Sequence, residues 1–105
     1  MTKDLRRAFA LMRDKGILYC AICGCLIAKK DQITLDHLVP KKKSGPTNSS
    51  NLLPAHKVCN EIKSDLMPDE FRQHRVERFT YALAKYNLSR RDKQIIKNAL
   101  LSWGK

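Results

Sequence analysis

The feature that most limits how this chain can fold is a matched pair of short Cys/His motifs lying far apart in the sequence. The first pair is Cys20 and Cys23 in Cys-Ala-Ile-Cys-Gly, and the second is His56 and Cys59, with two intervening residues in each pair. Two thiolates from one tight turn followed by glycine are typical of a zinc knuckle. Four nitrogen and sulfur ligands satisfy the tetrahedral preference of structural Zn²⁺. The spacing therefore predicts a structural zinc that fixes the centre of the chain.

This assignment of zinc ligands gives Cys25 no metal-binding role. It could replace Cys23 as a ligand, but the shorter spacing fits a knuckle better, and we expect Cys25 to be a small packed side chain. Four cysteines could instead form two disulfides in a secreted basic domain, such as a toxin. The chain opens with acids among its bases rather than with a signal peptide, which favours a reduced, cytoplasmic setting. The apolar run over residues 17–28 is too short to span a membrane.

The length and net charge of the chain limit the class of protein to which it can belong. Its 105 residues fit one compact domain, which buries only about 60 to 65% of its unfolded surface, so a metal crosslink would help it fold. The formal net charge is +11, and it is spread along the chain rather than held in one tail. Such a basic excess favours a polyanionic partner, since contacts to phosphates release condensed counterions. The alternative is a basic protein that is merely well solvated.

The flanks read as helices. A first amphipathic helix is expected from Thr2 to Gly16, a second opens at Pro68, and a third is capped by Ser89. Their apolar stripes at helical spacing are Leu5, Ala8, Phe9 and Met12, then Val76, Phe79, Leu83 and Tyr86, then Ile96, Ala99, Leu100 and Trp103. Trp103 is expected to pack rather than to stack on a base. His74 among Arg72, Arg75 and Arg78 reads as part of a basic face.

The centre reads as two strands and a helix. Residues 32–38 alternate apolar and polar side chains up to Pro40, residues 51–54 can form the returning strand, and a helix is expected from Lys57 through Asp65. In a regular strand Asp36 and His37 face opposite ways, so both can serve one site only if the strand bends or ends there. Residues 41–50 are expected to form a mobile basic loop that turns at Gly45 and Pro46. Its lysines suit a phosphate-gripping loop better than a nuclear signal; they are Lys41, Lys42 and Lys43.

Hydrolysis of a phosphodiester requires a base for water, a group that offsets charge on the phosphorane, and help for the leaving oxygen. His37 can be the base, because imidazole exchanges a proton most readily near neutral pH. Asp36 and Asn60 offer hard oxygen ligands, which suit Mg²⁺ or Mn²⁺. Lys63 shares a helical face with Asn60, where a phosphate contact and a solvated lysine are equally reasonable.

Taken in order, Cys-x-x-Cys, Asp36-His37, Asn51-Leu52 and the second ligand pair followed by Asn60 resemble the pattern of the HNH endonuclease family over residues 20–64. The resemblance implies a ββα-metal site in which Asp36 and Asn60 hold one divalent ion, His37 activates water, and Asn51 orients the loop bearing that base. With asparagine at the last position this is an HNN variant. The family more often has cysteine where His56 stands, a departure that keeps coordination of zinc possible.

These observations predict an α+β fold, a small zinc-stapled ββα-metal, treble-clef-like core with flanking N- and C-terminal helices. One domain spans residues 1–105, with the core motif in 20–64 and flanks in 1–16 and 68–103. The expected function is a metal-dependent DNA endonuclease that nicks with low sequence specificity and acts as a monomer or weak dimer. His37, Asn51 and Asn60 are the expected catalytic set. RNA is the less favoured substrate, and the rival hypothesis is a zinc domain that binds DNA or RNA without cutting.

Overall fold

An antiparallel hairpin of two short strands forms the centre of the fold. The computed structural model describes Ala10, residues 17–45 and residues 51–104. Strand β1 spans Ile33–His37 and strand β2 spans Leu52–His56, with Ile33 opposite His56 and His37 opposite Leu52. The returning strand runs beyond Pro54, where the sequence pattern predicted its end. Each strand has one partner in this sheet, so a proline without an N–H is tolerated at the edge.

The cysteine knuckle is a second, smaller hairpin attached to the first. Tyr19 and Leu26 form an isolated antiparallel bridge at its base. Within the turn, the Cys20 N–H donates to the Cys25 carbonyl at 2.9 Å, and the Gly24 N–H donates to the Cys20 carbonyl at 2.8 Å. The Ala21 N–H donates to the Pro54 carbonyl at 2.9 Å. This last bond joins the knuckle to β2, the strand that leads into the second ligand pair.

Three α-helices follow in the described part of the chain. Helix α1 spans Lys57–Lys63, helix α2 spans Pro68–Lys85, and helix α3 spans Arg90–Trp103. Helix α1 stops two residues before the predicted end because Ser64 takes a positive φ of 55°. The predicted start of α2 at Pro68 and the predicted cap of α3 are both confirmed, the latter by a 3.1 Å bond from the Asp92 N–H to Ser89 Oγ.

The helices pack through an aromatic cluster. Phe79 is fully buried, and its ring meets Trp103 edge-on with 4.6 Å between centroids, while Phe71 lies 6.0 Å from Phe79 and 6.2 Å from Trp103. The prediction that Trp103 packs is confirmed, as is the stripe through Ile96 and Ala99, which are both buried.

The predicted stripe on α2 is partly wrong. Val76 is 50% exposed and Tyr86 is 52% exposed, whereas the side chains that α2 buries are Phe71, Phe79 and Ala82. These three project within one narrow sector of the helix, while Val76 lies well outside it. Tyr86 follows the last helical residue and has an extended ψ of 147°.

Two further predictions concern the N-terminal helix and the lysine-rich segment after β1. The first amphipathic helix over residues 2–16 lies outside the described residues apart from Ala10. Lys41–Lys43, predicted as the start of a mobile loop, form a 3₁₀ turn closed by Lys43 and Gly45 N–H bonds to the Pro40 carbonyl. Across the parts of the chain that are described, no helix is long and apolar enough to cross a membrane.

The predicted α+β class with a ββα centre is confirmed.

Candidate metal centre and active site

The two Cys/His pairs converge as predicted. The ligand atoms of Cys20, Cys23, His56 and Cys59 all lie within 4.8 Å of one another, and all four residues are buried. His56 Nδ1 is 3.5 Å from Cys23 Sγ and 3.7 Å from Cys59 Sγ. A tetrahedral zinc with bonds of about 2.3 Å to sulfur separates its ligands by roughly 3.7 Å. These side chains therefore fit a closed structural zinc site, and the cysteines are free thiols rather than disulfides.

Cys20 is the thiol best prepared to be a thiolate. Its Sγ accepts the N–H groups of Ile22, Cys23 and His56, each at 3.4 Å. Side-chain hydrogen bonds from Cys23 and then Cys59 lower the pKa of Cys20 well below its ordinary value, although burial opposes them. Gly24 closes the knuckle with a φ of +77°, which favours glycine. Cys25 is not among the four converging ligands and packs half-buried against the core, as expected.

The ring of His56 meets a carboxylate that sequence reasoning missed. His56 Nε2 lies 3.2 Å from Asp31 Oδ2, close but not aligned as a hydrogen bond. The Asp31 side chain is only 8% exposed, and its Oδ2 also accepts the Ala28 N–H at 3.0 Å. Burial alone would lower the pKa of His56, but the Cys20 hydrogen bond and the charges of Cys20 and Asp31 raise it overall. A histidine that binds a metal through one ring nitrogen needs an acceptor for the other. That requirement was the signal in the sequence that could have predicted an acidic partner for His56.

His37 ends β1, which is the condition under which it and Asp36 could serve one site. Buried Asn51 fastens the backbone immediately after it. Asn51 Oδ1 accepts the Val39 N–H at 2.8 Å, its Nδ2 donates to the Val39 carbonyl at 3.0 Å, and its own carbonyl accepts the Leu38 N–H at 2.9 Å. Because these contacts are with the backbone, Asn51 is a positioning residue for the segment that follows His37.

Asp36 and Lys63 form a buried pair. Lys63 Nζ donates to Asp36 Oδ1 at 3.0 Å and to the His37 carbonyl at 3.1 Å, and both charged side chains are 3% exposed. Burial raises the pKa of Asp36, with the hydrogen bond from Lys63 opposing it. Lys63 is therefore not a solvated lysine, and the predicted phosphate contact would require its buried ammonium to leave Asp36. Its ammonium is enclosed by the end of β1, because α1 packs directly on that strand.

Asn60 lies on α1 one turn before Lys63, and its amide is oriented by β1. Its Nδ2 donates to Thr34 Oγ1 at 3.1 Å and to the Leu35 carbonyl at 3.4 Å. Both bonds use the amide nitrogen, so they turn Oδ1 away from these partners. An amide oxygen held in this way can accept a cation.

The three lysines of the 3₁₀ turn are exposed, and two of them hold acidic partners. Lys42 Nζ is 3.1 Å from Asp65 Oδ2, and Lys43 Nζ is 2.9 Å from Glu70 Oε1. Hydrogen bonds from Lys43 and from the Met67 N–H lower the pKa of Glu70. Exposed ion pairs of this kind contribute little to stability, because water screens them. A phosphate could therefore replace either carboxylate at little cost.

A β-hairpin that runs directly into a helix, closed at its base by a buried Cys/His cluster and carrying Asp, His and Asn near the strand end, defines the zinc-stapled ββα-metal class. Residues 20–66 match the family model described as HNH endonuclease. This match spans under half of the chain and agrees with the resemblance seen in the sequence over residues 20–64. It supports a nuclease-type function in general. Neither the curated proteins nor the solved structures gave a match to the chain.

Proposed function

We propose that the protein is a metal-dependent DNA endonuclease that hydrolyses phosphodiester bonds. The observation that carries the proposal is the meeting of β1 and α1 through Lys63. Its ammonium binds both the Asp36 carboxylate and the His37 carbonyl, one turn along α1 from Asn60. Asn60 contacts the same strand through Thr34 Oγ1 and the Leu35 carbonyl, which supports a shared site where β1 meets α1.

Asp36 and Asn60 would hold the Mg²⁺ or Mn²⁺ ion at this junction. A carboxylate and an amide oxygen are the hard ligands such ions prefer, and the two Asn60 Nδ2 bonds leave its oxygen for a cation. A bound divalent ion would supply the charge that offsets the phosphorane and the leaving oxygen. Lys63 neutralises Asp36 in the structure, so this lysine has to share the carboxylate with the ion or move aside.

His37 would act as the general base, taking a proton from water. A base contributes only when it is fixed within hydrogen-bond reach of the proton it removes. Asn51 provides part of that order, because its contacts with Val39 and Leu38 fix the backbone just beyond His37. Asn51 is thus assigned to positioning, and His37 and Asn60 to contact with the reacting groups.

Binding would be driven by phosphates rather than by bases. Lys41, Lys42 and Lys43 present exposed ammonium groups beside the site, and phosphate contacts position a protein without reading sequence. We therefore propose low sequence specificity, and nicking by a monomer or weak dimer because one ββα site addresses one scissile phosphate at a time. The helices α2 and α3 pack onto this centre, in line with one domain.

The test is cleavage of supercoiled plasmid with Mg²⁺ or Mn²⁺, against the same reaction with EDTA. The matched variant is His37→Ala, which should retain fold, zinc and DNA binding while cleavage falls by about 10² to 10⁴-fold. Excess Mn²⁺ should partly rescue Asn60→Ala but not His37→Ala, because only the former weakens ion binding. Cleavage by His37→Ala at the wild-type rate, or equal rescue of both variants, would contradict these roles.

A second candidate is a zinc-dependent module that binds DNA or RNA without cutting. The buried Asp36–Lys63 pair favours it, because the carboxylate already has an internal cation at 3.0 Å. The plasmid assay separates the two candidates. A binding module would shift the plasmid in a gel and leave it supercoiled with either metal.

A further inference from the structure

A small cleft opens between the cysteine knuckle, the end of β1 and helix α2. Its volume is about 140 Å³. Asp36 and Lys63 lie on one side, and Arg72 and Arg75 line the other from α2, while Ala21 and Phe71 contribute apolar wall. The cleft thus places two arginines from outside the family motif beside the proposed metal ligand.

The charge of the cleft is positive. Asp36 and Lys63 neutralise one another at 3.0 Å, which leaves the two guanidinium groups in excess. Arg72 and Arg75 are three apart on α2 and share a helical face. Neither has a carboxylate within ion-pair distance among the residues that the structure describes. Two arginines without an acid between them are suited to a shared anion.

Arg75 is also held in place. Its guanidinium carbon lies 4.8 Å from the centroid of the Trp103 ring, in cation–π contact. Trp103 is in turn fixed edge-on against Phe79. A guanidinium stacked in this way loses less freedom on binding and presents its N–H groups in one plane, the arrangement that grips phosphate oxygens in pairs.

We propose that Arg72 and Arg75 bind one phosphodiester group of the nucleic acid strand at this cleft, next to Asp36. The inference rests on the proposed function in taking Asp36 as a ligand of the catalytic ion. It adds a phosphate contact from α2 to the surface formed by the lysine turn.

The first test measures binding and does not depend on cleavage. Affinity of the His37→Ala protein for a labelled 20-base-pair duplex is measured by fluorescence anisotropy over a range of KCl, without added divalent ion. Adding Arg72→Ala and Arg75→Ala should weaken binding about tenfold at low salt. The log–log salt slope should fall by about 0.9, the value for one phosphate.

The control removes the same charge elsewhere. Lys93→Ala with Lys97→Ala changes two exposed lysines of α3 that do not line the cleft, and it should alter the slope and affinity much less. Equal losses in the two double variants would overturn the inference. Because the cleavage assay on the wild-type protein is separate, a protein that binds through Arg72 and Arg75 but never cuts would sink the nuclease proposal alone.

The second test uses the protein's own reporter. Trp103 is the chain's single tryptophan, and its contact with Arg75 makes its fluorescence sensitive to an anion at that guanidinium. Titration with the same 20-base-pair duplex, unlabelled, should change the emission of wild type, change it less for Arg75→Lys, and leave it flat for Arg75→Ala. Wild-type emission that stays constant while anisotropy reports binding would place the phosphate elsewhere and overturn the inference.

Discussion

At the scale of single residues, the Asp36–Lys63 pair makes the strongest demand on the fold. Removing one member of a buried ion pair leaves an uncompensated charge and costs about 3 to 5 kcal/mol. We expect Lys63→Met to lower the free energy of unfolding by about that amount, measured by urea denaturation with zinc present and no other divalent ion. Replacing both residues, as Asp36→Leu with Lys63→Met, should recover much of the loss.

The exposed pair between Lys42 and Asp65 gives the comparison. Both side chains are largely open to solvent, at 80% and 51%, so Lys42→Met should cost less than about 1 kcal/mol. If Lys63→Met proves equally mild, the buried pair described here does not form in solution.

Asp31 is the second residue with a specific expected effect. Acceptors behind a metal-bound histidine typically change metal affinity by about 10 to 100-fold. We expect Asp31→Asn to weaken zinc binding within that range, since it removes the charge 3.2 Å from His56 Nε2. Competition with a chromophoric chelator measures this directly. Asp65→Asn, which alters an exposed carboxylate, should leave zinc affinity unchanged, and an equal fall in both variants would argue against a link through His56.

At the scale of elements, the turn after β1 depends on a glycine. A Cβ placed on Gly45 would lie 1.8 Å from the Val39 carbonyl oxygen, so the backbone would have to move. Overpacking of this kind costs about 1 to 3 kcal/mol. Gly45→Ala should therefore lower the thermal midpoint, and it should also lower cleavage because Val39 is the residue that Asn51 fastens. Gly104→Ala is the control, with its nearest neighbour at 3.4 Å; a matching loss there would contradict this role of the turn.

The elements also show which features could be predicted from sequence. The zinc ligands and the starts of α2 and α3 follow from local signals: spacing in Cys-x-x-Cys, a proline at Pro68, a cap at Ser89. The burial of Lys63 and the approach of Asp31 to His56 depend on how α1 and the knuckle pack on the hairpin, and no local pattern records that. Val76 was wrongly predicted to be buried because the helical stripe that contains it overlaps the stripe that contains Phe71. Which of the two stripes is buried depends on where α3 packs.

At the scale of the whole molecule, zinc removal should unfold the centre. The ligands come from the knuckle, from the end of β2 and from α1, so the binding free energy of zinc is largely folding free energy. Cys59→Ser or chelation should abolish the cooperative unfolding transition seen by near-ultraviolet circular dichroism of the aromatic cluster. Cys25→Ser is the control and should retain one bound zinc. An unchanged transition in Cys59→Ser would contradict a structural zinc site.

The distributed charge has its own consequence for the molecule. If about four phosphates are engaged, log affinity for duplex DNA should fall with log salt at a slope near −3.6. Duplexes of unrelated sequence should give the same slope and similar affinities, because phosphate contacts carry no sequence information. Filter binding over a salt series measures both quantities. A slope near zero would rule out electrostatic grip as the source of affinity.

Cys59 and Asn60 are neighbours on the first turn of α1, so the turn that zinc anchors is the turn that presents the proposed ligand of the second ion. Under the proposed function the two metals would be acquired in a fixed order, because the site for magnesium or manganese would form only once zinc is bound. A newly made chain would then be unable to cut nucleic acid before it has bound zinc. If the protein cuts with low sequence specificity, as proposed, the supply of zinc would set when cleavage with the second metal can begin.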